Sequence, residues 1–410
     1  MDASSPLASP TAAASLATAA PGPATLPALP PLVLRGRHTL PIVQGGMGVG
    51  ISAHRLAGAV AREGAVGTIS SVDLRRHHPD LMSASRNGDK ASVDAANLTA
   101  LDREIHAAKT VAEGRGLVAV NVMRAVSEYA AYVRQSCASG ADAVVVGAGL
   151  PLDLPDLAAD HPDVALIPIL SDARGIALVV RKWLRRGRLP DAIVVEHPRY
   201  AGGHLGAAKI EDLTDPRFDF ERVLPETQAF FRAEGIADGA IPLIPAGGIN
   251  THERVRELFA LGASAVQVGT AFAVTVEGDA DLEFKRVLAG AKPEDIVEFV
   301  SVAGLPARAV RTPWLDSYLR HLPKLAGAAR KKARCALKFD CLAQCGLRDG
   351  IAKIGQFCID TQLAAALRGD VAKGLFFRGA SALPFGSEIR SVRELIAYLL
   401  TGERPAAATA

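Results

Sequence analysis

From about residue 40 onward, short runs rich in Val and Ile alternate with longer Ala-rich stretches whose apolar positions recur at helical spacing. Eight such runs can be counted: Pro41 to Gln44, Ala65 to Ser70, Leu117 to Met123, Asp142 to Gly147, Ala165 to Leu170, Asp191 to Glu196, Ile241 to Ala246 and Ser264 to Gly269. Nearly all are continuously apolar, the pattern of parallel strands covered on both faces. An open doubly wound sheet shares this alternation, so periodicity alone does not close the sheet. The count and the ending decide it. Eight strands over roughly 230 residues match a (β/α)8 barrel, and the last two runs end in glycine-rich turns where such barrels often bind phosphate. The pattern predicts an α/β protein with a (β/α)8 TIM barrel over residues 34–279.

Two stretches interrupt the spacing. Residues 72–116 carry Arg75-Arg76-His77-His78-Pro79-Asp80 and then a predicted helix from Asn97 to Glu113, and residues 205–239 follow the sixth run. Both leave the C-terminal end of a strand, so they are expected over the barrel mouth as lid and substrate walls. Residues 280–410 read as a mostly helical extension. Residues 1–33 are dominated by Ala, Pro, Ser, Thr and Leu, with Asp2 as their only charge, and are expected to be a disordered tail. Pro10, Pro21 and Pro23 break any apolar core and no basic segment precedes it, so the tail does not read as a secretory signal.

Composition narrows the function classes. With 49% hydrophobic and 22% charged residues the chain reads as a soluble globular protein. Its 46 basic and 43 acidic residues leave a net charge of +3, too little to recruit nucleic acid or an anionic membrane. No uncharged apolar run is long enough to span a bilayer. A cytoplasmic location is expected, with a homodimer left open.

The chemistry gathers at strand ends. Pro245-Ala246-Gly247-Gly248-Ile249 closes the seventh run and Gln267-Val268-Gly269-Thr270 the eighth. Glycines there let backbone N–H groups approach an anion closely, although tight turns without a ligand give the same sequence. Gln44-Gly45-Gly46-Met47-Gly48 closes the first run and leaves backbone that can lie flat against a planar ring. No Gly-x-Gly-x-x-Gly turn follows a strand, so a separate nicotinamide-binding domain is not predicted.

Taken in order, Pro41 to Met47, Ala201-Gly202-Gly203-His204-Leu205-Gly206, Ala246 to Ile249 and Ala265 to Thr270 resemble the signature set of the nitronate monooxygenases, formerly 2-nitropropane dioxygenases, and of the related flavin-dependent enoyl reductases. The resemblance covers residues 38 to about 275. It implies FMN as cofactor, with Gly45, Gly46 and Met47 against the isoalloxazine, Asn121 flanking it, and Gly247, Gly248, Gly269 and Thr270 at the phosphate. Glu196, Gly202 and Gly203 match further family positions around the cofactor. The same resemblance implies oxidation of alkyl nitronates, or of nitroalkanes, by dioxygen to a carbonyl compound and nitrite.

His204 is the expected catalytic base. Removing a proton beside a nitro group needs a base titrating near working pH, which histidine supplies, and the flanking glycines let the loop approach the flavin. A loop histidine that merely hydrogen-bonds neighbouring carbonyls remains the alternative. His197 precedes Pro198 and is expected to be extended, pointing into the same mouth. His77 and His78 read as a solvated turn, with metal or substrate ligation as the alternative.

Of the five cysteines, four form Cys335-x5-Cys341-x3-Cys345-x12-Cys358. Four thiolates at such spacing can hold an iron–sulfur cluster or a structural zinc. The arrangement resembles the cluster site that follows the FMN barrel in the dienoyl-CoA reductase and trimethylamine dehydrogenase family, with five residues instead of two in its first gap. Reduced thiols packed as small apolar groups are the alternative. Three functions stay open: nitronate oxidation, an NAD(P)H-dependent flavin reductase acting on an enoyl thioester or quinone, and a non-catalytic flavin-binding regulator.

Overall fold

Eight strands close into a parallel barrel in the computed structural model, which describes residues 29–406. Along the chain, β1 (Leu32–Leu34) and β2 (Arg37–Thr39) form a hairpin. The barrel consists of β3 (Ile42–Gln44), β4 (Val66–Ser70), β5 (Leu117–Met123), β6 (Ala143–Gly147), β7 (Ala165–Leu170), β8 (Ile193–Glu196), β10 (Leu243–Ala246) and β11 (Val266–Val268). A separate three-stranded sheet joins β9 (Gly203–His204), β12 (Ile296–Val300) and β13 (Pro306–Val310). Closure is made by β11 on β3, with Val266 opposite Ile42 and Val268 opposite Gln44. Each expected run supplies one barrel strand.

The apolar runs become strands because both faces are covered. Every residue of β4 and β6 is buried. Gly67 marks how closely helix and sheet approach, since a Cβ there would lie 1.8 Å from the Ala57 carbonyl oxygen of helix His54–Arg62. Trp183, on helix Ala173–Leu184, is fully buried and donates its indole N–H to the Pro151 carbonyl at 3.0 Å. Truncating such a side chain costs roughly 3–5 kcal/mol.

The hairpin closes the bottom of the barrel. Leu32 and Leu34 pack into the interior with Val43, Val66, Leu117 and Ile244, while Val33 between them is exposed, an alternation of period two. Arg37 on β2 ties it to the barrel through a 2.7 Å contact with Asp142. Residues 32 and 33, expected in the tail, therefore belong to the fold, and residues 1–28 of that expected tail lie outside the described residues.

At the other end, helix Val392–Thr401 packs against helices His252–Ala260 and His54–Arg62, the place of the barrel's eighth helix. Ser391 and Glu394 close its first turn as a capping box. The segment between β11 and this helix is thus an insertion at the C-terminal mouth. It carries helices Leu282–Gly290, Pro313–Gly327 and Ile359–Leu367 and also the β12–β13 hairpin, which the sequence pattern did not announce. Among the described residues no helix is long and apolar enough to cross a membrane.

Candidate active site

A cavity of about 280 Å³ opens at the C-terminal ends of the barrel strands. It brings together Gly45, Gly46 and Met47 after β3, Asn121 on β5, Glu196 at the end of β8, Gly202, Gly203 and His204 at β9, Gly247 and Gly248 after β10, and Gly269 and Thr270 after β11. The roof comes from the insertion, with Leu342, Asp360, Leu363, Phe377 and Arg378 among its residues.

The glycines shape this cavity in different ways. Gly46 lies so close to Asn121 that a Cβ would fall 2.3 Å from the asparagine Cβ. Gly247 and Gly248 have φ of 98° and 77°, and a Cβ at Gly248 would meet the Tyr200 ring carbon at 2.9 Å. The parallel pairing of Ala246 with Gln267 turns the Gly247 N–H towards the Gln267 carbonyl, whereas the Gly248 N–H meets no acceptor among the described residues and is left for a ligand. Gly269 is different: a Cβ there would find only the Met47 sulfur, at 3.9 Å, so its missing side chain leaves open space. A free amide at Gly248 in a positive-φ glycine turn, beside an open face at Gly269, suits a phosphate group, and these residues fit the phosphate end of FMN.

His204 owes its position to the insertion. β9 pairs with β13, Ala307 opposite His204 and Arg308 opposite Gly203. Beneath it, the His204 Nε2 lies 3.0 Å from the Oγ of fully buried Ser301, which also accepts the Ala303 N–H at 3.2 Å. Nδ1 has no protein partner among the described residues. The Phe377 ring stands edge-on at 5.7 Å. Burial pushes the imidazole down to about 4, so it is neutral throughout the physiological range.

Glu196 shows the opposite shift. Its carboxyl has no hydrogen-bond partner among the described residues, and burial raises it to about 7. One cavity thus holds an imidazole that resists protonation and a carboxyl that resists ionisation, a pairing that separates acid from base near neutrality. Arg308 fixes the intervening loop: 2% exposed and paired with Glu298, it donates to the carbonyls of Pro198 and Ala201.

The family model described as nitronate monooxygenase matches residues 34–402. The chain belongs to the nitronate monooxygenase family. A Pseudomonas aeruginosa nitronate monooxygenase is 36% identical over 29% of this chain and 31% of its own length, so that alignment spans under a third of the relative. A Bacillus subtilis protein described as a probable nitronate monooxygenase is 26% identical over 68% of this chain and 78% of its own. Among solved structures, a nitroalkane oxidase from Streptomyces ansochromogenes superposes with a TM-score of 0.60 at 19% identity, covering 88% of this chain and 94% of that one. FabK from Thermotoga maritima gives 0.60 at 22%, covering 88% and 91%. At these identities the two superpositions show a shared fold.

Within this family member, three expectations are corrected. His197 does not enter the mouth. It is 3% exposed, wedged between the Tyr200 and Phe220 rings at 4.7 and 5.3 Å, with Nε2 3.2 Å from Asp219. His77 and His78 are half-buried rather than in a freely solvated turn: His77 contacts the Gly50 carbonyl at 2.9 Å and His78 contacts buried Glu104 at 2.9 Å, which pins this turn to helix Lys90–Ala112.

The cysteines do not assemble a metal centre. Among the described residues no group of three or more His, Cys, Asp or Glu side chains converges to hold an ion. Their sulfurs are used separately: Cys345 Sγ accepts the Arg348 N–H, Cys358 Sγ accepts from Thr361 Oγ1 at 3.2 Å, and Cys341 lines the cavity. Burial raises the Cys341 and Cys358 thiols above the ordinary range.

Ser301, Arg308, Asp360 and Arg378 were not visible as site residues in the sequence. Asp360 is 1% exposed and held by Arg76 of the turn that carries His77, and burial together with neighbouring Asp73 raises its carboxyl. All four lie in the insertion, about a hundred residues or more beyond His204 in the chain. Only the Gly374 to Gly379 segment carried a local signal, its small-and-aromatic composition, and that pointed to packing.

Proposed function

We propose that this chain is an FMN-dependent oxidoreductase that oxidises alkyl nitronates with dioxygen to a carbonyl compound and nitrite. The observation that carries the reading is the meeting, in one cavity, of the Gly247-Gly248 turn with its free Gly248 amide, the open face at Gly269 and a neutral imidazole on β9. When bound, FMN supplies the electron acceptor and the route to dioxygen. The protein's part is placement. Gly247, Gly248, Gly269 and Thr270 would hold the phosphate, while Gly45, Gly46, Met47 and Asn121 would form the wall for the ring. The Ser301 hydroxyl donates a hydrogen bond to Nε2 of His204, which leaves Nδ1–H to donate to the anionic nitro oxygens. The roof of the insertion keeps water from the reacting carbon.

The depressed imidazole favours a nitronate that arrives as the anion over a nitroalkane that must first lose a proton. A base titrating near 4 is poorly matched to that task. A purified sample should show a flavin spectrum and release nitrite aerobically from ethyl nitronate; no nitrite, with flavin bound, would remove the reading.

A second reading, reduction of an enoyl thioester or quinone by NAD(P)H, is favoured by Glu196. A reductase adds a proton as well as a hydride, and a carboxyl protonated near neutrality beside the cavity can supply it. Anaerobic bleaching of the flavin by NADH or NADPH is its signature. A non-catalytic flavin binder would keep its spectrum with no turnover on any donor.

A further inference from the structure

Three arginines among the described residues are buried: Arg75, Arg308 and Arg378. The first two have carboxylate partners, Asp73 and Glu298. Arg378 has none. At 4% exposure its Nε donates to the Leu288 carbonyl at 2.8 Å and its Nη1 to the Gly379 carbonyl at 2.9 Å, and Nη2 has no acceptor among the described residues. Both carbonyls belong to residues that line the cavity. Burial alone lowers its affinity for the proton, with no acid nearby to offset it. A cation taken out of water without a counter-charge is costly, and native folds keep one where a ligand provides the opposite charge.

Its place in the cavity says which charge. The Gly379 N–H donates to Thr270 Oγ1 at 3.0 Å, joining this loop to the end of β11. On the other side, a Cβ at Gly202 would lie 2.6 Å from the Arg378 carbonyl carbon, so the loop is pressed onto the glycines before His204. We propose that Arg378 is the counter-charge for an oxyanion held in the cavity, and that this oxyanion is the phosphate of the flavin. The planar guanidinium suits a tetrahedral oxyanion and adds a charge that the free Gly248 amide lacks. The choice of phosphate rests on the flavin reading; the nitro group of a bound nitronate offers similar oxyanion chemistry and is separated from it by the test.

The test compares FMN with riboflavin, which lacks the phosphate. Apoprotein of the wild type, Arg378→Met and Arg378→Lys is titrated with each flavin by fluorescence quenching, and folding is checked by thermal melting. Loss of a hydrogen-bonded charge predicts that Arg378→Met weakens FMN roughly ten- to a hundredfold and leaves riboflavin unchanged, with Arg378→Lys in between. Unchanged FMN affinity with a raised KM for ethyl nitronate supports the counter-charge but assigns it to the substrate. Equal weakening of both flavins, or no change in either flavin affinity or KM, overturns the proposal. If wild-type apoprotein binds neither flavin, it is the flavin reading that fails.

Discussion

Replacing His204 by Asn and by Leu separates hydrogen bonding from proton removal. Between the ordinary 6.5 and about 4, burial disfavours the imidazolium by roughly 3 kcal/mol, equivalent to about two to three powers of ten in protonation. The neutral ring instead offers Nδ1–H to an anion, a hydrogen bond worth about 1.5–3 kcal/mol. Asn keeps a donor of similar reach; Leu keeps only volume. For ethyl nitronate, kcat/KM measured by oxygen uptake at pH 7.5 should fall less than about tenfold in His204→Asn and roughly ten- to a hundredfold in His204→Leu. Nitroethane turnover by the wild type should be at least about a hundredfold slower than nitronate turnover. In a Glu196→Gln background, which removes the cavity carboxyl that titrates near 7, the nitronate profile should be flat from pH 6 to 8. Because the folded value lies below the unfolded one, the stability gained from keeping this ring neutral is present above about 6.5 and is lost as pH falls towards 4. A profile rising with an apparent pKa near 6.5, or Asn and Leu variants equally inactive on both substrates, would refute the donor role and restore the base.

Glu196→Gln tests the raised carboxyl. Its folded value of about 7 exceeds the unfolded 4.5, so the wild type loses stability as pH rises between these values, and the variant should melt higher than wild type at pH 8 but not at pH 4. Gly269→Val should leave the apoprotein melting near wild type, because its side chain enters open space, yet abolish FMN binding; retained FMN would remove Gly269 from the phosphate site. Metal analysis of anaerobically purified protein should find no stoichiometric iron, sulfide or zinc, and Cys345→Ser should stay folded; a stoichiometric metal lost in that variant would show that the thiols converge on binding.

How much of this was legible follows from how local each signal is. Barrel strands announce themselves because burial on both faces demands unbroken apolar runs, and only their ends differ by a residue or two: β8 begins at Ile193, β10 at Leu243, and β11 spans Val266–Val268. The bottom hairpin was hidden because three residues, Leu32 to Leu34, give too short an alternation to stand out from an Ala- and Pro-rich tail. Glycine turns were legible for the same reason as the strands, being short contiguous motifs. What surrounds His204 was not. Ser301 reaches it across 97 positions through a sheet whose third strand is two residues long, and nothing in the sequence near either residue specifies that pairing. Cysteine spacing left a metal site and free thiols both open because spacing along a chain does not fix where sulfurs point, and here one caps a turn while another faces the cavity.

The most direct test of the account is to purify the protein, identify its flavin by absorbance and mass, and measure nitrite and oxygen together with ethyl nitronate in air. The account predicts about one FMN per chain and nitrite release that depends on oxygen and needs no NADH or NADPH. Bound FMN with no nitrite formed, and rapid anaerobic bleaching by NADPH instead, would contradict it.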